Sequence, residues 1–187
     1  MNSLIDLFNS ILPISDNERL LMEERMKIET YNKGQKHNTN GEICKKLSYI
    51  KKGIFKVEGY NSNEEEFIKY FAIENNFAVD LDSFINKEPS KENITAITAC
   101  EVVTITSTAF EFFEKNISNF SQIINTLKAK ALLEKYTVKS EMFVDDAYTR
   151  YNKFMQRYPT IIQRVSQKHI ASHLGISQYT LSRIRAK

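Results

Sequence analysis

The stretch Val165-Ser-Gln-Lys-His-Ile-Ala-Ser-His-Leu-Gly-Ile-Ser-Gln-Tyr-Thr-Leu-Ser-Arg-Ile-Arg-Ala-Lys187 decides how the chain is read. Ser166 is placed to N-cap a helix over Gln167–Leu174, and Ser177 to cap a second from Gln178 to about Ala186. Between them Gly175 supplies the positive φ that stops a helix abruptly. Ile170, Ala171, Leu174, Ile176, Leu181 and Ile184 are spaced so that the two helices pack on each other, small Ala171 lying at their closest approach. Such a pair, crossing at a glycine corner, is the layout of a DNA-reading helix-turn-helix, whose second helix enters the major groove. Its leftover polar face, Gln178, Tyr179, Ser182, Arg183 and Arg185, carries hydrogen-bonding and basic types suited to base edges and phosphates.

Charge supports that assignment. Ala147–Lys187 holds eight basic residues (Arg150, Lys153, Arg157, Arg164, Lys168, Arg183, Arg185, Lys187) and no Asp or Glu, which leaves 18 basic and 23 acidic side chains on the first 146 positions. A basic end on an acidic body is the electrostatic footprint of a chain that meets a polyanion at one end. The rest of the composition, 42% hydrophobic and 26% charged over 187 residues, is that of a globular protein with room for one large domain and a smaller one. No apolar run is long enough to span a bilayer, and the N-terminus has no basic segment of the secretory kind. Cys44 and Cys100 are too few and too far apart for a zinc or iron–sulfur motif, and read as reduced, buried thiols of a cytoplasmic protein.

Upstream of the helix-turn-helix, the apolar period changes twice. Leu4, Ile5, Leu7, Phe8, Ile11 and Leu12 recur at helical spacing, and Ser15-Asp-Asn-Glu18 predicts a capping box opening a second helix to Met26. Short β-branched and aromatic runs then follow: Met26–Tyr31, Leu47–Ile50, Ile54–Tyr60, Glu66–Phe71, Ile94–Ile97 and Glu101–Ile105, separated by Asn/Gly/Lys turns. Many short strands at such spacing predict a sandwich or barrel. The pattern lapses between Phe77 and Asn93, where Asp80–Phe84 suggests one helical turn. Ala109–Phe113 begins a further helix, and Ser118 or Asn119 starts a long one reaching about Phe143. Phe120, Ile124, Leu127, Ala131, Val138 and Met142 keep close to a heptad seam, broken at Glu134, which fits either packing on the barrel or pairing with a second copy. Asp145-Asp146 caps another helix that Pro159 ends.

The order β-roll, long helix, basic helix-turn-helix resembles the Crp/Fnr family of bacterial transcription regulators, and within it the branch common among Bacteroidetes. The stretches that carry the likeness are Gly41-Glu42 with Leu47–Val57, Phe67–Phe77, Ile97–Ile105 and Gln167–Ile184. The resemblance implies an α+β chain with an N-terminal antiparallel jelly roll of the cyclic-nucleotide-binding kind over 1–117, a dimerisation helix over 118–144 and a DNA-binding domain over 145–187. It implies double-stranded DNA with a two-fold operator, a homodimer and contact with RNA polymerase as partners, no cofactor and no membrane.

The departures from the family bear on what it senses. Members that bind cyclic AMP carry a Gly-Glu pair and, about ten residues on, an Arg-Ser/Thr-Ala triplet that holds the cyclic phosphate. Here the two fall near Ala78-Val79-Asp80 and Ser90-Lys91-Glu92, and no Arg occurs between Arg25 and Arg150. Lys87 or Lys91 could offer a point charge but not the guanidinium fork. The N-terminal cysteine set of iron–sulfur members is missing, and His37 stands alone in the first domain without a second ligand for haem. The expectation is a regulator that does not bind cyclic AMP in the usual mode. If it senses another small molecule, the pocket lies between roll and long helix, with Phe71, Phe77, Asp80, Phe84 and Asn93 as candidate lining.

At the reading helix, Gln178-Tyr179 stands where cyclic-AMP-responsive members have Arg-Glu, whereas Thr180 and Arg183 match. Ser177, Gln178, Tyr179, Thr180, Ser182 and Arg183 are the candidate DNA readers, with Lys168, His169 and Arg185 as phosphate contacts. The alternative is a small-molecule-sensing dimer that acts through a protein partner without reading DNA, which leaves the basic end unexplained. An enzyme on a metal-centred barrel is excluded by histidine placement, because His169 and His173 both fall in the helix-turn-helix. No Gly-rich phosphate loop, Ser/His/Asp set or Cys/His pair is present either.

Overall fold

The computed structural model describes residues 1–186; Lys187, one of the eight basic residues of the C-terminal stretch, lies outside them. Helices α1 (Asn2–Ile11) and α2 (Asp16–Arg25) lead into eight strands, β1 (Lys27–Tyr31), β2 (Lys36–Asn38), β3 (Lys46–Lys52), β4 (Phe55–Tyr60), β5 (Glu66–Ala72), β6 (Phe77–Ala78), β7 (Asn93–Ala96) and β8 (Cys100–Thr106), with helix α3 (Leu81–Asn86) between β6 and β7. Helices α4 (Ser107–Asn116), α5 (Phe120–Val144), α6 (Ala147–Arg157), α7 (Gln167–Leu174) and α8 (Gln178–Arg185) complete the chain, with one 3-10 turn at Ile161–Gln163. The strands form two four-stranded sheets, ordered β1-β8-β3-β6 and β2-β7-β4-β5, and every pairing is antiparallel.

Period-two alternation assigns the sheet faces. Ile50, Val102, Phe55, Val57, Ile94 and Ala96 point into the space between the sheets and close a core there. Leu47, Tyr49, Val103 and Ile105, one position out of phase on β3 and β8, point the other way and are covered by α1, α2, α4 and the start of α5. Phe120 is the hub of that helical layer, fully buried with its ring edge-on to Phe8, Phe110 and Phe113 at 6.0, 5.1 and 5.4 Å. Glu18 links the layer to the long helix: it completes the capping box with Ser15 and accepts from the Ser118 N–H at 2.7 Å. The Ser118 backbone bond, then the Ser15 bonds, hold its carboxyl at about 2.

A third core joins the roll to the C-terminal helices. Ile54, Ile68, Phe71 and Ile97 of the roll share one buried cluster with Phe154, Ile161, Val165, Ile170, Ala171, Leu174 and Leu181. The junction is made on β5, an edge strand, against which α7 lies. Ser172 Oγ accepts from the Ile68 N–H at 3.2 Å, and the His173 ring sits between Phe71 and Phe154 with centroids 5.4 and 5.2 Å away. Arg164 grips Glu74 through both carboxylate oxygens, at 3.0 and 2.5 Å. Burial opposes the Glu74 charge, but Arg164 and the Gly53 N–H outweigh it and hold the carboxyl at about 2.

Gly53, whose N–H donates to Glu74, sits in a tightly packed turn of the roll. Its φ is +104°, and a Cβ there would lie 2.5 Å from Cys100 Sγ and 2.6 Å from the Ala99 carbonyl oxygen. Gly34 also has a positive φ (+88°), but a Cβ added to it meets nothing within 4 Å. Gly34→Ala should therefore cost backbone strain alone, about 1–3 kcal/mol, while Gly53→Ala should cost distinctly more. Chemical denaturation of the two variants checks this, and equal losses would show that the Cys100 contact gives way.

His173 carries a pH signature. Its burial holds the imidazole at about 4, below its ordinary 6.5, and His37, stacked on Tyr31 and Phe55, is held at about 4 for the same reason. The folded state prefers both rings neutral, so this stability is complete above pH 6.5 and is lost as pH falls toward 4. Glu18 and Glu74, held at about 2, lose theirs only below about 4.5. We expect stability to drop between pH 7 and pH 5, and His173→Phe to remove about 2 kcal/mol of that drop. Urea unfolding at the two pH values measures it; an unchanged drop would assign the effect to His37 or His169.

Candidate nucleic-acid interface and interdomain cavity

Local capping builds the reading helix. Ser166 Oγ accepts from the His169 N–H at 3.3 Å at the start of α7, and Ser177 Oγ accepts from the Thr180 N–H at 3.0 Å at the start of α8. Gly175 ends α7 at φ +64°, its N–H bonded to the carbonyls of Ala171 and Ser172. Leu181 is fully buried against the α7 side, with Ile176 partly buried beside it. Gln178, Tyr179, Ser182, Arg183 and Arg185 are all exposed, Tyr179 by 73%, along one side of α8. The Arg183 guanidinium stands 5.8 Å from the Tyr179 ring centroid, at the outer reach of a cation–π contact. Ser177 and Thr180 bond to each other through their hydroxyls at 2.9 Å, so their first role is the cap. Lys168 is exposed at the start of α7; His169, half-buried, is lowered by burial and then by the charges of Lys56, Lys168 and Lys33, which brings the β1–β2 turn into the same basic surface.

The basic stretch divides in two. Arg157 bonds Glu141 at 3.0 Å, Lys153 bonds Asp145 at 2.7 Å, Arg164 bonds Glu74, and Arg150 donates to the Met142 carbonyl at 3.1 Å. These four hold the C-terminal helices to α5 and the roll. Lys168, Arg183 and Arg185 make no ion pair among the described residues, and they are the ones on the helix-turn-helix surface.

The long helix turns its heptad seam inward. Phe120 and Ile124 are buried in the helical layer and Leu127 packs against it, while Ala131, Val138 and Met142 line a cavity of about 660 Å³ against β5. The outward side carries Leu132, Leu133, Tyr136, Phe143 and Val144, each 68–83% exposed. Apolar periodicity alone misses this second stripe, because its residues sit beside the seam rather than on it.

Of the five candidate lining residues, the structure brings Phe71 and Phe77 together at that cavity. Asp80 borders a smaller adjoining hollow of about 390 Å³ and caps α3 through the Ser83 N–H. Phe84 turns away into the helical layer, edge-on to Phe110 at 5.3 Å. Asn93 is buried at the far end of the roll, donating to Tyr60 Oη at 2.8 Å and accepting from the Asn40 N–H at 3.0 Å. Tyr70, Lys135, Arg150 and His173, which the sequence did not single out, line the cavity instead.

At the place the family resemblance assigns to a cyclic phosphate, the side chains are acidic and mutually satisfied. Ser90 Oγ donates to Asp80 at 2.6 Å and accepts from Asn38 Nδ2 at 2.7 Å, and Lys69 is paired with Glu92 at 2.5 Å. Lys135 of α5 reaches over the Tyr70 ring at 4.4 Å and donates to its hydroxyl at 3.3 Å. Burial, then the Glu92 and Asp80 charges, push the Tyr70 phenol far above its ordinary value, so it is a neutral donor and acceptor there. Lys87, one possible point charge, is paired with Glu111 at 2.6 Å, and Lys91 is exposed.

No protein-family model matches the chain, and no curated protein does. Solved structures do. FixK2 from Bradyrhizobium japonicum superposes with a TM-score of 0.75 at 14% identity, over 86% of this chain and 83% of that one. A protein from Eubacterium rectale described as a transcriptional regulator of the crp/fnr family gives 0.74 at 14% identity, over 96% and 85%. The c-di-GMP responsive global regulator CLP of Xanthomonas campestris gives 0.69 at 17% identity, over 91% and 88%. At such identities what is shared is the architecture. The chain therefore has the fold of the Crp/Fnr regulators, an antiparallel β-roll followed by a long helix and a helix-turn-helix.

Proposed function

We propose that this protein is a DNA-binding transcription regulator of the Crp/Fnr type that grips a two-fold operator as a homodimer, with a roll that does not take cyclic AMP in the usual mode. The observation that carries the reading is α8: a short, N-capped helix whose apolar side is buried on α7 and whose free side is Gln178, Tyr179, Ser182, Arg183 and Arg185. A helix of that make-up, held from behind, supplies a bidentate fork for guanine in Arg183 and an amide for adenine in Gln178. Lys168, His169 and Arg185 take phosphates and set the register. Ser177 and Thr180 serve by capping the reading helix. Two of the neighbours that share the fold, CLP and the Eubacterium rectale protein, are described as regulators, which agrees with this reading.

The argument against a cyclic nucleotide is electrostatic. A cyclic phosphate placed near Ser90 would meet the carboxylates of Asp80 and Glu92 with no arginine to offset them. Lys69, the nearest cation on the strand, is already committed to Glu92.

For the dimer, the outward stripe of α5 is the surface to bury. Leu132, Leu133 and Tyr136 fall on one side of the helix, and Phe143 returns to that side two turns on. Left in water, five such side chains form an apolar patch of the kind that marks an interface. Tyr136→Glu should shift the protein from dimer to monomer in sedimentation equilibrium and weaken operator binding more than tenfold; a dimer that survives the substitution would move the interface elsewhere.

The central test is selection of bound duplexes from a random pool, followed by binding at several salt concentrations. A two-fold sequence is the expected product. With Lys168 and Arg185 of each protomer on phosphate, the log–log salt slope of the dimer should be about −4, well short of the value that all the basic residues together would give. Arg183→Ala should lose about 1–3 kcal/mol on the selected site and relax the base preference at one position per half-site. No binding at low salt would sink the reading and leave a dimer that acts through a protein partner.

A further inference from the structure

We infer that the cavity between β5, α5 and the C-terminal helices is a binding site for a small apolar acid, a molecule with a hydrocarbon body and a carboxylate, and that filling it sets the helix-turn-helix against the roll. The cavity holds about 660 Å³, within the usual range of about 300–1,000 Å³ for small-molecule sites. Phe67, Phe71, Phe77, Val138, Met142 and Leu174 give it apolar walls drawn from the roll, the long helix and α7. An apolar body is what such walls bury with gain.

The polar groups at the wall define the other end of the ligand. Among the described residues three buried side-chain nitrogens have no hydrogen-bond partner, and two of them, Arg150 Nε and His173 Nδ1, belong to residues lining this cavity. His173 is 92% buried, since only 8% of it is exposed, so it cannot turn to bulk water for a partner. A buried donor or acceptor left unmade is costly, and a ligand atom in the cavity removes that cost. Arg150 keeps one arm on the Met142 carbonyl and has no carboxylate partner, which leaves its Nε–H to donate to an anion. The His173 ring, held neutral by burial, lies beside the Ile68 and Lys69 backbone of β5, and its Nδ1 makes no hydrogen bond, which leaves that nitrogen for a polar group on the same molecule. Charge agrees: Lys69, Lys135, Lys139 and Arg150 border the cavity against one acid, Glu134, and neither Lys139 nor Arg150 is ion-paired among the described residues.

The position of the site gives it a consequence. Arg150 lies at the start of α6, His173 near the end of α7 and Phe71 on β5, so one ligand bridges all three. It stiffens the junction that fixes α8. By linkage, an acid that favours the DNA-competent junction raises DNA affinity by the same factor that DNA raises the acid's. That coupling rests on the DNA-reading function proposed above; the binding of the acid does not.

Calorimetric titration of the full chain with decanoate, decanol and decylamine tests the site directly. Decanoate should bind one per protomer, at least tenfold tighter than decanol, with decylamine weaker still. Arg150→Gln should bring decanoate down to the decanol level, and Ala131→Phe, which fills the cavity from the solvent-exposed side of its wall, should abolish both. Binding of decanol as tight as decanoate, decanoate binding untouched by either variant, or no heat with any of the three would overturn the site. In parallel, affinity for the selected duplex is measured with and without decanoate. A change of threefold or more supports the coupling, and an identical affinity overturns the coupling. Failure to bind DNA in either condition counts against the proposed function, while the titration still decides the site.

Discussion

The docking of α7 on the edge of β5 is the constraint on which the rest of the molecule depends. An edge strand presents a row of unpaired backbone groups that must be covered or left to water. Here the cover is the first helix of the helix-turn-helix, with Ser172 accepting from Ile68 and His173 inserted between Phe71 and Phe154. The same helix therefore does two jobs: its one side closes the roll, and its other side carries α8 through Leu181 and Ile176. A rotation of α7 on β5 moves α8 with it, because the residues between them form one buried cluster. The Arg164–Glu74 pair adds a second fastening a few residues upstream, and Glu74 in turn holds the Gly53 turn of the roll.

The interior of the roll is closed in a different manner. Tyr70 and Asp80–Ser90–Asn38 take up hydrogen-bonding capacity that a ligand would otherwise need, and Glu92 spends the one lysine of β5 that could face an anion. Replacing a phosphate-binding arginine with a satisfied acidic network changes the preference of the site by charge rather than by shape. An anion placed there would reach Lys69 only by breaking its pair with Glu92, and Lys91 beside Ser90 is turned to solvent. The larger cavity outside the edge strand has the opposite balance, cationic at its border and apolar within. The space bordered by cations and walled by apolar side chains thus lies at the seam between roll and helices rather than inside the roll.

Much of this was legible in the sequence where the determinants are local. The bounds of α7 and α8 follow from Ser166, Gly175 and Ser177, whose caps and positive φ act within four residues, and the structure makes each of them. The capping box at Ser15 and Glu18 was readable for the same reason. β2 and β6, three and two residues long, were missed because so short a run has no period to detect. Phe84 and Asn93 were grouped with the pocket because the segment between Phe77 and Asn93 lacks a pattern; α3 aims Phe84 at Phe110, and nothing local encodes that direction. His173 reads as any polar helical residue, and its burial comes from Phe71 on β5 and Phe154 on α6, neither of them a local neighbour. The seam of α5 was visible as a seam, but apolar spacing cannot say whether the facing surface is the chain's own roll or a second copy.

Charge shows most plainly why sequence and structure differ in what they can say about the site. Eight cations in a stretch without acids suggest a wholly basic face. The acids that neutralise three of those eight cations lie earlier in the chain, Glu141 and Asp145 at the end of α5 and Glu74 after β5, and folding brings them to Arg157, Lys153 and Arg164. Those pairs are partly buried, so they act as positioning contacts, and Arg164 holds Glu74 with the two-nitrogen fork that lysine cannot offer. The cations left on the helix-turn-helix surface are fewer, and they are concentrated where α8 is exposed. On the DNA-reading function proposed above, a small number of free charges around the polar side of α8 would lower indiscriminate attraction to phosphate and leave more of the binding free energy to base contacts. The internal pairs and the free cations are parts of one arrangement: the first set fixes where α8 points, and the second sets the charge it presents.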